Sequence, residues 1–244
     1  MGFFGRERVE VPPHPRQEPR IQGPLTAETM ERVFTGCVDF AQRPVALGGV
    51  PGRTATLCYL SGMVKMERVS DYILRPMALE RSLGECSQSQ AVDRILEGAL
   101  YNLIVVERTT ADQGVFDLIN GWCLLFFPEC GRVLSFLVQT EEKRSISASE
   151  NEPPLKGPRD SFVESIRTNT SLLRRRVRSP GLRIKELLVG RQTVTPVDIV
   201  WIDGLTNPET VAAVEARIGD IDIDALIATG NLEEYIADDI RTAF

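Results

Sequence analysis

The chain has 244 residues, 43% of them apolar and 25% charged, with a formal charge of -6 and one histidine. That length holds one large core or two small ones, the composition is that of an ordinary globular protein, and the negative balance speaks against a general nucleic-acid binder. The lone histidine, His14, stands among prolines near the N-terminus, so neither a Ser-His-Asp triad nor a His-metal cluster can be assembled in the rest of the chain.

The five cysteines, Cys37, Cys58, Cys86, Cys123 and Cys130, are odd in number and form no CxxC, which points to a reducing compartment and away from a disulfide framework or a zinc site. Cys37, Cys58 and Cys123 sit in apolar runs and read as core residues. The longest apolar stretch, Trp122 to Phe127, has the length of a strand and falls far short of the ~20 residues of a membrane span. The N-terminus has no signal-peptide core.

Residues 1–24 mix Pro12, Pro13, Pro15, Pro19 and Pro24 with scattered charges and read as a loose tail. Thr26 is placed to cap a helix whose apolar face takes Met30, Val33, Phe34, Cys37 and Val38. Glycines 48, 49 and 52 punctuate the chain before a strand over Thr54 to Leu60. The loop from Gly48 to Thr54 misses the GxxxxGK[ST] spacing and reads as an ordinary turn. A helix from Lys65 to Leu74 is expected to stop before Pro76. Next come a helix over Gln90 to Leu100, a strand over Leu103 to Glu107 and a helix over Asp112 to Ile119. Strands Trp122 to Phe127 and Val133 to Gln139 complete a hairpin.

The run from Ser145 to Pro158 shows neither apolar period, and the domain join is expected there. Beyond it Phe162, Ile166, Leu173 and Val177 define one helical face, closed by Pro180-Gly181. Strands follow over Leu182 to Val189 and Val194 to Ile202, then a helix over Pro208 to Ile218 capped by Asn207, and a short helix over Leu232 to Asp238. Asp220, Asp222 and Asp224 alternate like a calcium loop, but Ile221 and Ile223 intervene, so a strand or edge is expected. The fold class is α/β: two small α/β subdomains with mixed sheets, at 25–150 and 151–244, behind the loose tail.

Two short segments echo each other. Leu57 to Met63 and Ile199 to Leu205 each join an apolar strand to a helix through a glycine, Gly62 or Gly204. Ligands of open α/β sheets gather at such carboxyl ends of strands, which makes Ser61, Gly62, Asp203 and Gly204 candidate ligand-binding residues. No carboxylates form an evident acid/base pair, so no catalytic residue, metal site or cofactor is assigned. Charge is uneven: Arg159 to Glu186 carries eight basic and three acidic residues, and Leu205 to Phe244 nine acidic and two basic. The cluster Arg174, Arg175, Arg176 and Arg178 crowds a helix C-terminus, where cations complement the dipole. Without interleaved aromatics it is no nucleic-acid platform. Contact with the acidic final quarter, with a neighbouring subunit or with anionic headgroups also suits it.

The run GPRDSFVESIRTNTSLLRRRVRSPGLRIKELLVG, followed by TPVDIVWIDGLTNPETVAAVEARIGDIDIDALIATGNLEEYI, resembles the GerA family of spore germination proteins, the A subunits of nutrient germinant receptors and their relative SpoVAF. LCYLSGMVKMERVSDYILRP and the hairpin from Gly121 to Gln139 extend the resemblance through the first half. It implies a cytoplasmic N-terminal region of two α/β subdomains, followed beyond this chain by a membrane bundle and assembled with B and C subunits in the inner spore membrane. The chain is expected to be the soluble part of such a protein. The motif falls on Gly157, Pro158, Arg159, Phe162, Arg167, Thr168, Asn169, Arg174, Arg175, Asp203 and Gly204. Of these, Arg159, Arg167, Asn169, Arg174 and Arg175 are expected to be structural or interface determinants. Asn169, unfavourable inside a helix, is expected to make a specific side-chain contact.

The functional expectation is a non-enzymatic domain that takes part in nutrient-triggered germination by signal transduction or receptor assembly, with self-association beneath the membrane subunits as one route. The alternative is binding of an amino acid or other small nutrient in the cleft between the subdomains. A small enzyme using Asp203 or a cysteine would need a nearby base of perturbed pKa, and none is evident.

Overall fold

The computed structural model describes residues 21–100, 104–139, 162–226 and 229–236. The expected tail up to residue 20, the expected domain join, and Gly157, Pro158 and Arg159 lie outside the described residues.

The first unit is a five-stranded sheet between two helical layers. Its strands are β1 (Phe40–Ala46), β2 (Thr54–Leu60), β3 (Val105–Arg108), β4 (Trp122–Phe127) and β5 (Arg132–Leu137), in the order β1-β2-β4-β5-β3. Helices α1 (Ala27–Val33) and α6 (Ala111–Ile119) cover one face, burying Met30, Phe34, Val115 and Leu118 against Cys58, Leu60, Leu124 and Phe126. The opposite face packs Leu57, Leu125, Phe127 and Phe136 under Val69, Ile73, Met77, Leu83, Val92 and Ile95. Those residues come from α2 (Met66–Val69), α3 (Arg75–Leu79), α4 (Arg81–Gly84), α5 (Gln88–Arg94) and two π-helical turns, Ser70–Leu74 and Ile95–Ala99. A sheet covered on both faces needs apolar side chains in both directions, which is why β4, and β2 from Leu57 to Leu60, read as unbroken apolar runs.

The second unit is smaller. Strands β6 (Leu182–Val189) and β7 (Thr195–Ile202) form a two-stranded sheet. Helices α8 (Pro208–Gly219) and α9 (Thr229–Ile236) enclose a cluster on one face, with Val189, Ile218 and Leu226 at its centre. Helix α7 (Ile166–Arg176) lies over the other face, where the Thr170 hydroxyl donates to Asp198 Oδ2 at 3.0 Å.

The α/β class with two units holds, and the sheets differ from expectation: among the described residues every pair of strands is antiparallel, not mixed. The helix after β2 also does not stop before Pro76. The π-helical turn shifts the hydrogen bonding, with Arg75 N–H reaching Ser70 C=O, and Pro76 enters the first turn of α3, where its lost N–H costs little. Strand β1, with Gln42-Arg43-Pro44 at its centre, escaped sequence reading; it is an edge strand, the place where a sheet tolerates proline. Helix α1 ends at Val33, so Cys37 and Val38 lie beyond it. Phe162 precedes α7 and is 66% exposed, so it is not part of an apolar face. Residues 221–226 are irregular, not a strand: Arg191 and Gln192 N–H groups donate to Ile223 and Asp224 carbonyls at 3.0 and 2.9 Å, closing this segment onto the hairpin turn. Thr26, Ser87, Thr110 and Asn207 cap α1, α5, α6 and α8 with their side chains, Ser87 and Thr110 in full capping boxes with Gln90 and Gln113.

Arg132 ties β5 to β3 and α5. Its guanidinium donates to both Glu107 oxygens, at 2.6 and 2.8 Å, and to Asp93 at 2.6 Å. The hydrogen bond from Arg132 holds the Glu107 carboxyl below the usual carboxylate range. A depressed folded pKa stabilises the fold above the unfolded value, and that contribution is lost as pH falls through the folded one. Glu107→Gln should therefore lower the melting temperature at pH 7, and the gap from wild type should close as the melts are repeated at falling pH below ~4.

Candidate functional site: the junction between the two units

Polar groups converge where the two units meet. Helix α7 begins at its cap Ser165, whose hydroxyl accepts from Thr168 N–H, and after Ile166 its first turns carry only polar residues, Arg167 to Ser171. What orients it is a residue near its C-terminal end: Arg174, about 1% exposed, faces Asp39, also about 1% exposed, in the turn before β1. The pair is bidentate, Nε to Oδ2 at 2.8 Å and Nη2 to Oδ1 at 2.9 Å, and Nη1 donates to the Leu182 carbonyl at 2.7 Å. Burial opposes the charge on Arg174, and the Asp39 carboxylate more than restores it, so the guanidinium pKa is raised. The Phe34 ring lies 5.9 Å below the guanidinium carbon.

Around this pair most contacts end on backbone carbonyls. Val38 N–H donates to the Ile184 carbonyl at 2.8 Å, Arg183 donates to the Val33 carbonyl, and the Cys37 thiol points at Leu182 C=O. Asp39 C=O accepts from Ser61 N–H at 2.7 Å and from the Ser61 hydroxyl at 3.1 Å, which fixes the turn after β2 to the same point. Farther out Arg178 reaches Asn120 Oδ1 at 3.3 Å.

The echoing glycines have the same backbone and different surroundings. Gly62 and Gly204 adopt φ of +82° and +79°, a region L side chains avoid. A Cβ on Gly204 would meet nothing within 4 Å, whereas one on Gly62 would stand 2.3 Å from the Ser171 hydroxyl oxygen of α7. Ser61 and Gly62 thus lie in the junction. Asp203 and Gly204 sit on the exposed turn after β7, where Asp203 accepts from Arg183 at 3.0 Å.

The other predicted residues serve α7. Asn169 clasps Val163 with both ends of its amide, accepting from its N–H and donating to its C=O, each at 2.8 Å. Arg167 pairs with Glu186 of β6 at 2.5 Å. Arg175 is half-buried and its carbonyl accepts from Arg178 Nε at 3.3 Å. Asp39 was missed by sequence reading: it carries no local motif, and its partner lies 135 residues away. Cys58 and Cys123 offer little chemistry, since burial, with lesser help from Glu28 and Glu31, pushes the Cys58 thiol up to about 12 and burial raises Cys123 as well.

A two-unit α/β domain held at one buried ion pair is the class this architecture defines. The model of the Bacillus/Clostridium GerA spore germination protein family matches residues 28–244, and the chain belongs to that family. Similar curated proteins of Bacillus subtilis include the uncharacterized membrane protein YfkQ, 30% identical over 89% of this chain and 41% of its own length, and spore germination protein KA, 28% identical over 89% and 39%. Stage V sporulation protein AF of the same organism is 30% identical over 77% of this chain and 38% of its own. The chain thus spans about two fifths of the length of these relatives. In fold it is similar to the crystal structure of the N-terminal domain of the A subunit of the Bacillus megaterium spore germinant receptor GerK3, with a TM-score of 0.61 at 23% identity, over 89% of this chain and 78% of that one. Among the described residues no helix is long and apolar enough to cross a membrane.

Adding a methyl group separates the two glycine environments. Gly204→Ala should cost only the left-handed backbone, about 1–2 kcal/mol. Gly62→Ala should cost more in urea denaturation, because the methyl meets Ser171, and the excess should vanish in a Ser171→Ala background.

Proposed function

We propose that this chain is the N-terminal region of a germinant receptor A subunit and acts in nutrient-triggered spore germination as a transducing or assembly element, without catalysing a reaction. The observation that carries the reading is the Asp39–Arg174 junction: it couples the two units, so that a displacement imposed on one is passed to the other. The family and the likeness to an A-subunit N-terminal domain support the placement. Against a small enzyme stand the pairing of Asp203 with Arg183 and the burial of the Cys58 and Cys123 thiols in the core. The partners on this reading are the B and C subunits and the membrane-embedded segments of the receptor, with the domain on the cytoplasmic face of the inner spore membrane.

Direct nutrient binding between the units is the rival. The junction works against it at Gly62, where α7 approaches too closely to leave room even for a methyl group. Amide chemical shifts of the domain should show no saturable change on titration with amino acids, sugars and nucleosides at millimolar concentration. Saturable shifts clustered at Ser61, Gly62, Asp203 and Gly204 would instead make the domain the sensor. In spores carrying the full-length receptor, Asp39→Asn should slow nutrient germination at unchanged receptor level, while nutrient-independent germination proceeds normally.

A further inference from the structure

We infer that the junction is a latch that opens as a separate event, with Asp39 and Arg174 as its catch, while both units stay folded. Among the described residues each of the three apolar clusters stays within one unit, two on the faces of the first sheet and one under α8 and α9. What crosses between the units is, among the described residues, mostly polar: the ion pair, the Cys37 contact with Leu182 C=O, the Val38 bond to Ile184 C=O, the Arg183 bond to Val33 C=O and the Arg178 contact with Asn120, with the Phe34 ring against the Arg174 guanidinium. Leu182 and Ile184 are buried there, yet neither belongs to a cluster.

An interface of this make-up resembles the transient kind, for which relative motion is the default. A buried ion pair favours one geometry more than it adds stability, because closing the contact strips water from both charges, and opening returns it. The close approach of Gly62 to Ser171 adds a second contact: α7 lies so near the turn after β2 that a Cβ at Gly62 would stand 2.3 Å from the Ser171 hydroxyl oxygen. Opening would release the pair, the Val38 bond and the Gly62 contact together and leave both cores intact.

Native-state hydrogen exchange reads this directly and does not depend on the receptor assignment, which the germination assay tests by itself. In the wild type the Val38 amide should exchange through an opening with a much shallower urea dependence than the amides of the β2–β4 pair. Asp39→Asn should speed Val38 exchange by about 10²- to 10³-fold or more, the loss expected when one member of a buried pair is removed, and leave the β2–β4 and β6–β7 amides at their wild-type rates. Asp39→Leu combined with Arg174→Met, which replaces the pair by apolar groups, should return Val38 to wild-type protection or better. A Val38 urea dependence as steep as that of the cores, equal acceleration of junction and core amides in Asp39→Asn, or no change at Val38 would overturn the latch.

Discussion

One buried ion pair sets the relation between the two halves of this protein. Asp39 and Arg174 are each shut away from water, and a guanidinium in that position is tolerable only where a carboxylate meets it squarely. The planar fork of arginine supplies two bonds to the carboxylate and a third to Leu182 C=O, so the same side chain that binds the first unit also binds α7 to β6. Asp39 is anchored in turn, since its backbone carbonyl holds Ser61 and with it the turn that presents Gly62 to Ser171. Removing either charge would leave the other buried without a partner and unsettle every one of these contacts.

The apolar effect has little part in that junction, because it is spent within the units. The first sheet is buried on both faces and closes two cores of its own; the second closes a smaller one under α8 and α9. Leu182 and Ile184 are buried at the junction, but among the described residues no apolar cluster spans it, and the halves are joined chiefly by directional bonds. Directional bonds suit a domain that relays a displacement, since they hold one geometry firmly and release it without exposing a core.

Much of the fold was legible from residue patterns, and the misses have physical causes. β2, β4 and β6 stand where apolar runs between glycine and proline punctuation put them, and the caps at Thr26 and Asn207 follow from side chains suited to that work. β1 was invisible because an edge strand tolerates proline and exposed polar residues that argue against a strand elsewhere. Pro76 misled because a π-helical turn before it absorbs the break. The site was only half legible. Arg174 could be picked out within the arginine cluster, but its burial could not, because burial depends on the tertiary approach of Asp39, and that residue sits in a turn with nothing local to mark it. The glycine echo, by contrast, is real in backbone conformation and differs in what surrounds each turn.

If Asp39 and Arg174 act as one unit, a double-mutant cycle on the free energy of junction opening, read from native-state hydrogen exchange at the Val38 amide, shows it most directly. Asp39→Asn and Arg174→Gln should each cost about 3–5 kcal/mol, and the double variant little more than either alone, which gives a coupling energy of about 2 kcal/mol or more. Single losses below about 1 kcal/mol that simply add would contradict it, and the junction would then be held by its other contacts.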